Sequence, residues 1–326
     1  MSIWTLADLP SQRGRSAVVT GTGGLGFEVA AALAQAGAEV ILAGRNAARG
    51  AAAAERIRRA APGARVTFGE VDLASLDSVE AFADRLRDSR DRLDLLVNNA
   101  GVMAPPQRRT TADGFELQFG TNHLGHFALT AQLLPLLRNG VAPRVVGVSS
   151  IAARQGAIDF DDLQCERRYA PFAAYGQSKL ACLMFALELQ RRSEAAGWGI
   201  DSLAAHPGIS RTDLLPNGAG AWSGAGMARR FLWFLFQPAA QGALPIVYAA
   251  AAPQASGGAY YGPHALGESR GRPAPARTPV QALDRTAAAR LWAESERLTG
   301  IRFPAGAAPS SSGDAGRAPV APARPQ

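Results

Sequence analysis

Up to about Gly208 the chain alternates between short runs rich in β-branched residues and longer runs rich in alanine and leucine. Short runs of this kind are typical of buried strands, and the longer ones carry the apolar spacing of helices. The pattern predicts strands at 16–20, 39–44, 64–71, 92–99, 143–150 and 197–208, and helices at 26–37, 46–60, 75–88, 113–138 and 173–185. This alternation indicates an α/β fold, a doubly wound parallel sheet flanked by helices.

Beyond Gly208 strand-like runs become rare, and a last helix is predicted from about 280 to 298. The residues from Pro304 onward are mostly proline, alanine, glycine and serine, which cannot bury enough apolar surface to become ordered. No linker divides the rest of the chain. We therefore expect one folded domain over residues 1–303, with a small C-terminal substrate-binding extension, and a disordered tail over 304–326.

One uncharged stretch, residues 231–252, is long enough to span a bilayer. Two prolines, two glutamines and a glycine interrupt it, so two buried helices are the better interpretation. The N-terminal residues lack the apolar segment of a signal peptide. The two cysteines do not suggest a disulfide framework. We expect a cytoplasmic protein without a transmembrane span.

The charge pattern gives no sign of a nucleic-acid partner, although the net charge is +7. The arginines are scattered, without a dense basic block or interleaved aromatic residues. His123 and His126 are three residues apart but have no acidic or cysteine partner in sequence, so no metal site is predicted. A G-x-S-x-G hydrolase turn is also missing.

The first predicted strand runs directly into the sequence TGTGGLGFEVA. Its glycines satisfy G-x-G-x-x-G between a strand and a helix, which is the setting of a dinucleotide-binding turn. Backbone can approach a pyrophosphate closely there, and the helix N-terminus offers free N–H groups to it. We predict a dinucleotide site at Gly21, Thr22, Gly23, Gly24, Leu25 and Gly26; a plain glycine-rich turn is the alternative.

The end of the second strand, LAGRN, carries Arg45 where an NAD-binding protein would place an acidic residue. An arginine there can pair with a 2′-phosphate, and Arg49 could assist. The sequence therefore favours NADP(H), with ordinary surface arginines as the alternative.

Several further motifs follow in order: NNAG at 98–101, TNHLGHF at 121–127, VSS at 148–150, YGQSK at 175–179 and HPG at 206–208. Together with the glycine turn they resemble the short-chain dehydrogenase/reductase family, over most of residues 16 to about 262. The segment before and after Tyr175 is similar to the retinol dehydrogenase-like and WW-domain oxidoreductase-like branch. The resemblance implies a single Rossmann-like domain and an NADP(H)-dependent oxidoreductase that interconverts a carbonyl and an alcohol.

The resemblance also implies the catalytic roles. Tyr175 would be the general acid/base, and Lys179, on the same helix face, would favour its phenolate and hold the nicotinamide ribose. Ser150 would hold the substrate oxygen, with Ser149 structural or, alternatively, in the exchanged role. Asn122 would carry a proton relay through water to the lysine. Tyr169, which lacks a lysine four residues on, would be structural.

For the cofactor, the resemblance assigns Asp72 to the adenine, the NNAG positions to the adenosine side and the HPG region to the nicotinamide side. The residues concerned are Asn98, Ala100, Gly101, Pro207, Gly208 and Thr212, besides Tyr175 and Lys179. The glycine turn departs from the family pattern T-G-x-x-x-G-x-G, because it is one residue shorter. This leaves open which backbone groups meet the adenosine ribose and the 2′-phosphate.

The sequence MARRFLWFLF at 227–236 lies where the family places a substrate-binding flap, about 209–238. Six large apolar residues in a row exceed one face of an amphipathic helix. A core helix, a flap over an apolar substrate and a membrane-surface contact helped by Arg229 and Arg230 are the alternatives. We expect the flap and a hydrophobic small-molecule substrate.

Two other functions stay open from the sequence. One is reduction of a carbon–carbon double bond, as in protochlorophyllide reductase-like relatives. The other is a non-catalytic NADP(H)-sensing protein on the same fold, which would not need the complete set of Asn122, Ser150, Tyr175 and Lys179. The substrate, the direction of reaction and the oligomeric state are not specified, although family members often form dimers or tetramers.

Overall fold

The computed structural model describes residues 4–210 and 237–304. Within these ranges, eight strands form one sheet in the order β3-β2-β1-β4-β5-β6-β7-β8. The strands are β1 Ser16–Thr20, β2 Glu39–Gly44, β3 Arg65–Glu70, β4 Leu95–Asn98, β5 Arg144–Val148, β6 Asp201–Ala205, β7 Tyr260–Ala265 and β8 Arg270–Pro275. All neighbouring pairs are parallel except β7 and β8. The doubly wound parallel sheet predicted from the sequence is confirmed.

Helices cover both faces of the sheet. They are α1 Gly24–Gln35, α2 Ala47–Ala60, α3 Leu76–Ser89, α4 Leu117–Phe119, α5 Gly125–Arg138, α6 Pro171–Ala196, α7 Ala239–Ala251, α8 Val280–Leu283 and α9 Arg285–Thr299. A π-helical turn, Gly120–Leu124, joins α4 to α5, and a 3₁₀ turn, Ile151–Gln155, follows β5.

The core is divided by the sheet, because alternate residues of a strand point to opposite faces. On one face Val19, Leu42 and Val97 pack with residues of α1, α2 and α7. On the other, Val18 and Leu96 pack with residues of α3, α5 and α6. The strands therefore read as continuous apolar runs, as expected for a parallel sheet buried on both sides.

Although strand-like runs become rare in the sequence after Gly208, two further strands, β7 and β8, complete the sheet. Their sequences, YYGPHA and RGRPAP, are short of β-branched residues and contain prolines. Proline is tolerated in an edge strand, because the side facing solvent needs no N–H donor. The edge position of β8 therefore explains why the sequence pattern missed it.

Two predicted helices are interrupted. Residues 113–116 of the predicted helix 113–138 are not helical, and Thr110 instead pairs with Glu116 in a β-bridge. The C-terminal helix divides at Asp284, whose Oδ1 accepts the N–H groups of Thr286 and Ala287 and so caps α9.

The uncharged stretch at 231–252 is described only from residue 237 onward. Pro238 directly precedes α7, whose apolar face joins the core. Among the helices of the described ranges, none combines the length and hydrophobicity that a membrane span requires.

Candidate active site

The motifs meet at the carboxyl ends of β1, β4, β5 and β6. Strands β1 and β4 are neighbours, and from them the chain winds outward in opposite directions, to β2 and β3 on one side and to β5 and β6 on the other. Ligands of open α/β sheets bind at such a switch point. The sheet topology therefore brings the glycine turn, NNAG, VSS and HPG to one edge.

The glycine turn connects β1 to α1 with no room for side chains at two positions. A Cβ on Gly26 would lie 2.1 Å from the carbonyl oxygen of Gly21, and Gly21 itself has a left-handed φ of 96°. Around Gly23, by contrast, nothing lies within 4 Å of a Cβ. The turn thus leaves open space in front of the N-terminus of α1, which fits the phosphates of a dinucleotide.

Thr20, at the end of β1, fixes the NNAG segment beside this turn. Its Oγ1 accepts the N–H groups of Asn99 and Ala100, both at 2.9 Å. Asn99 Nδ2 donates back to the Thr20 carbonyl oxygen at 2.7 Å. Asn98 points elsewhere, with Nδ2 donating to Thr130 Oγ1 at 2.9 Å. Thr20 and Asn99 were not among the predicted site residues, because neither carries chemistry of its own.

Arg45 lies directly after β2 and is exposed. The backbone before it runs against the glycine turn, since a Cβ on Gly44 would lie 2.9 Å from Thr22 Cγ2. Arg49, also exposed, lies in the first turn of α2, which is capped by Asn46. Arg45 is therefore an exposed side chain that follows directly on backbone packed against the glycine turn.

Asp72 follows the carboxyl end of β3, at the same edge of the sheet as the glycine turn, and is half-buried. Its Oδ1 accepts the N–H of Ala74 at 3.0 Å, and its own N–H donates to Ser78 Oγ at 2.9 Å. The carboxylate is thus held in a fixed turn beside the adenosine side of the predicted site.

Asn122 lies on the π-helical turn and is fully buried. Its side chain exchanges two hydrogen bonds with the backbone of Val102, at 2.8 and 3.0 Å, and Nδ2 also donates to Ser178 Oγ at 2.9 Å. Its carbonyl oxygen accepts from His126 Nδ1 at 2.9 Å and from Cys182 Sγ at 3.1 Å. Asn122 therefore joins the loop after β4 to α6, the helix that carries Tyr175 and Lys179.

His126 connects the two halves of the site. A carbonyl oxygen only accepts, so the contact with Asn122 places a proton on Nδ1 and leaves Nε2 to accept from Thr20 Oγ1 at 2.9 Å. Burial, and then the charge of Lys179, lower the pKa of His126 to about 4 despite its hydrogen bond to the Asn122 carbonyl. Burial likewise lowers the pKa of His123 to about 3. Both rings are neutral at physiological pH, and their signal in the sequence was the pair of histidines in TNHLGHF.

Within the described part of the chain, no three histidine, cysteine or acidic side chains are grouped as metal ligands. His123 instead places Nε2 at 2.8 Å from Ser295 Oγ of α9.

Tyr175 and Lys179 lie one turn apart on α6, and the two residues are 7% and 5% exposed. Lys179 Nζ lies 6.0 Å from the centroid of the Tyr175 ring and donates to the Val148 carbonyl oxygen at 3.0 Å. A Cβ on Gly101 would lie 3.5 Å from Lys179 Nζ and 2.9 Å from Asn122 Oδ1. The structure thus brings the lysine, the asparagine and the NNAG motif together.

The two serines after β5 have different environments. Ser149 is buried, and its hydroxyl donates to the Lys179 carbonyl oxygen at 2.8 Å. Ser150 is half-exposed and caps the turn that follows, with Oγ accepting the N–H of Ala152 at 3.2 Å. That turn packs beside Tyr175, because a Cβ on Gly176 would lie 3.3 Å from the Ala152 carbonyl oxygen. Ser150 is therefore the serine with a hydroxyl available to a substrate.

Tyr169 belongs to the framework around this site. Its hydroxyl donates to the Pro105 carbonyl oxygen at 2.8 Å and receives a bond from Gln118 Nε2 at 3.3 Å. Burial, together with the nearby Glu116 charge, raises the pKa of Tyr169 to about 12. The residue holds the loop after β4 and is unsuited to proton exchange at neutral pH.

The HPG motif, which the resemblance assigns to the nicotinamide side, directly follows β6. Gln237 Nε2 donates to the Pro207 carbonyl oxygen at 2.5 Å, and Gly208 has a left-handed φ of 66°. Gln237 was not singled out from the sequence. Thr212 and the segment 227–236 lie outside the described residues.

Comparison with known proteins decides the family. Residues 15–219 match the family described as short chain dehydrogenase. The chain belongs to this family. Mouse polyprenol dehydrogenase is 43% identical over 300 residues, 90% of this chain and 86% of that protein. Human retinol dehydrogenase 13 is 40% identical over 297 residues, 89% and 86% of the two chains. The retinol dehydrogenase-like branch expected from the sequence is thus confirmed.

Solved structures agree with this assignment. A crystal structure of a Mycobacterium paratuberculosis protein, 43% identical, superposes with a TM-score of 0.77 and covers 93% of this chain and 100% of its own. The Pseudomonas aeruginosa RhlG/NADP active-site complex is 26% identical, with a TM-score of 0.59 and coverage of 77% and 94%. The chain is an oxidoreductase of a family that uses nicotinamide cofactors.

Proposed function

We propose that this oxidoreductase interconverts an alcohol and a carbonyl on a hydrophobic small molecule, with NADP(H) as its cofactor. One observation carries the proposal: the buried Tyr175–Lys179 pair on α6 lies against the end of β5, where Lys179 binds Val148 and Ser150 presents its hydroxyl. A phenol, an ammonium and a hydroxyl at the cofactor edge of the sheet are the groups that proton transfer to a substrate oxygen requires.

Four side chains are proposed to have distinct roles in substrate positioning and proton transfer. Ser150 Oγ donates a hydrogen bond to the substrate oxygen and fixes its position. Tyr175 delivers a proton to that oxygen during reduction and takes one during oxidation. Lys179 stabilises the phenolate by its charge. Asn122 holds the loop after β4 and the helix α6 in register, so that Gly101 and Lys179 stay close. NADP(H), when bound, supplies or accepts the hydride.

The cofactor would be held along the edge described above. The backbone N–H groups at the start of α1 face the pyrophosphate, Asp72 and the NNAG segment line the adenosine side, and Pro207 and Gly208 line the nicotinamide side. Arg45 pairs with the 2′-phosphate, and this residue is the reason for naming NADP(H) over NAD(H). The NADP complex of the RhlG structure supports this choice.

A hydrophobic substrate is supported by exposed apolar side chains close in sequence to the proposed catalytic groups and to the HPG motif. Phe172, three residues before Tyr175, is 56% exposed, and Ile209, directly after the HPG motif, is 44% exposed. The relatives' names, polyprenol dehydrogenase and retinol dehydrogenase, refer to apolar alcohols. Exposed apolar groups at a site gain stability when an apolar ligand covers them.

The test is a panel of primary and secondary aliphatic alcohols and the matching aldehydes and ketones, in short and long chain lengths, followed by NADPH absorbance. We expect turnover with NADPH or NADP⁺, and a kcat/KM that rises with chain length. Enones in the same panel report any reduction of the carbon–carbon double bond. Cofactor binding without turnover on any alcohol or carbonyl would contradict the proposal and favour a sensor.

A further inference from the structure

A half-buried carboxylate connects the turn after Ser150 to the HPG turn. Glu268 lies on the hairpin between β7 and β8, with a left-handed φ of 66°. Its Oε2 is 2.9 Å from His206 Nε2 and 2.5 Å from Arg154 Nη2, and its Oε1 accepts the N–H of Arg277 at 3.0 Å. Three separate segments therefore converge on one side chain that belongs to none of the family motifs.

The hydrogen bonds around His206 specify which nitrogen carries its proton. The N–H of Gly208 donates to Nδ1 at 3.2 Å, so Nδ1 must be unprotonated. The proton is then on Nε2, which donates to Glu268. Burial lowers the pKa of His206 although Glu268 acts in the opposite direction, so the ring is neutral at physiological pH. The carboxylate thus selects the tautomer that can hold Gly208.

Packing leaves His206 no other position. The ring is fully buried, and its centroid lies 5.2 Å from that of Tyr260. A Cβ on Gly262 would lie 2.0 Å from His206 Nε2, so β7 requires glycine at that point. The Glu268 carboxylate therefore accepts a hydrogen bond from a ring whose orientation is already fixed by packing. Through the tautomer it selects, Nδ1 of the same ring accepts the N–H of Gly208.

Arg154 extends the connection to the catalytic serine. It lies in the 3₁₀ turn Ile151–Gln155 that Ser150 caps. Besides its ion pair with Glu268, Arg154 Nη1 donates to the Gly267 carbonyl oxygen at 3.2 Å. The turn carrying Ser150 and the turn carrying Gly208 are thus bound to the same hairpin.

We propose that Glu268 is a positioning residue that holds the cofactor-binding HPG turn and the Ser150 turn in one register. It acts on the first through the His206 tautomer and on the second through Arg154. This inference rests on the proposed function, because it assigns HPG to the nicotinamide side and Ser150 to the substrate oxygen.

The first experiment measures NADPH binding directly, by nicotinamide fluorescence, for Glu268→Ala, Glu268→Gln and the control Glu294→Ala. Glu294 forms an ion pair with the exposed Arg297 one turn further along α9. Glu268→Ala should weaken NADPH binding about tenfold or more, the scale of one charge-assisted hydrogen bond. Glutamine still offers an acceptor to His206 Nε2, so Glu268→Gln should stay within about fivefold of wild type.

The second experiment separates the effect of Glu268 on the HPG turn, through His206, from its effect on the Ser150 turn, through Arg154. Arg154→Ala removes only the connection to the Ser150 turn, so kcat should fall while the Kd for NADPH stays near that of wild type. In Glu268→Ala both quantities should change. Nitrogen-15 NMR of the histidine rings should show His206 as the Nε2–H tautomer in wild type, and loss of that preference in Glu268→Ala.

Thermal unfolding without cofactor identifies any variant that fails to fold. If Glu268→Ala does not fold, the Kd of Glu268→Gln for NADPH and the tautomer of His206 in the wild type still test the inference. An Nδ1–H tautomer in the wild type would overturn the inference, as would an unchanged Kd for NADPH in folded Glu268→Ala. Failure of the wild type itself to bind NADPH would instead overturn the proposed function, leaving the tautomer measurement intact.

Discussion

Lys179 Nζ donates to the carbonyl oxygen of Val148 at 3.0 Å, and this bond fixes α6 to the end of β5. The reverse contact, from Ser149 Oγ to the Lys179 carbonyl oxygen at 2.8 Å, closes a two-way link between the strand and the helix. The position of the ammonium is therefore set by the sheet rather than by a flexible side chain. Tyr175 lies one turn earlier on the same helix, so the same contacts also fix its position relative to β5.

Tyr175→Phe should reduce kcat by about 10²–10⁴-fold, because general acid/base groups contribute on this scale. NADPH binding, measured by fluorescence, should remain, since the ring and Lys179 stay in place. Tyr169→Phe is the matched control: it loses the bond to Pro105, and any effect should appear in the unfolding midpoint rather than selectively in kcat. A Tyr175→Phe enzyme with more than about a tenth of wild-type kcat would exclude the acid/base role.

Arg45→Ala should weaken NADPH binding by about tenfold or more and leave NADH binding nearly unchanged, because only NADPH carries the 2′-phosphate. Titration of the two reduced cofactors against the same variant measures the ratio. Arg59→Ala serves as control, since Arg59 is a strongly exposed residue of α2 paired with Glu55. Equal losses for NADPH and NADH would contradict the assignment.

Two glycines of the turn are expected to serve different purposes: Gly26 is needed for packing, and Gly23 leaves space for the cofactor. Gly26→Ala should lower stability or abolish folding, because its Cβ would lie 2.1 Å from the Gly21 carbonyl oxygen. Gly23→Ala meets nothing within 4 Å and should fold normally, yet weaken NADPH by filling space in front of α1. Thermal unfolding and NADPH titration distinguish the two. A Gly23→Ala protein with wild-type affinity would place the cofactor elsewhere.

The parallel part of the sheet, β1 to β6, could be predicted because each of these strands is a short apolar run, and the glycine turn, NNAG, VSS and HPG could be placed because each lies at the end of one. The roles expected of Ser150 and Lys179 came from the resemblance to the family and stay predictions. The sheet explains only the location of Ser150, which follows β5 at the edge where the carboxyl ends of neighbouring parallel strands meet. Local pattern could not predict β8, because RGRPAP takes its strand conformation from pairing with β7 rather than from its own propensity.

The residues that support the site were harder to foresee. Glu268 is separated from His206 by 62 positions, and Thr20 from His126 by 106. Neither pair follows any helical or strand period, so only the three-dimensional arrangement joins them. The interruption at Asn122 is similar, because a π-helical turn has no compositional signal in a sequence that otherwise favours a continuous helix.

The two buried histidines at the π-helical turn, His123 and His126, lead to a prediction about how the free energy of unfolding depends on pH. His126 has a pKa lowered to about 4 in the folded protein, whereas an unfolded chain binds that proton near its ordinary value of 6.5. Between these values the unfolded state holds more protons, so the free energy of unfolding must fall as the pH falls from about 6.5 toward 4. For His126 alone the total change is about 3 kcal/mol.

The measurement is the urea midpoint of wild type and His126→Gln between pH 7 and 5.5, where most carboxylates stay ionised. The variant lacks one of the protons taken up on unfolding, so its free energy of unfolding should depend less steeply on pH, by up to about 1.4 kcal/mol per pH unit. His264→Gln, at an exposed ring, is the matched control for replacing a histidine by glutamine. If His126→Gln keeps the wild-type slope, the ring is not held neutral between Thr20 and Asn122, and its role in joining the end of β1 to the π-helical turn is wrong as well.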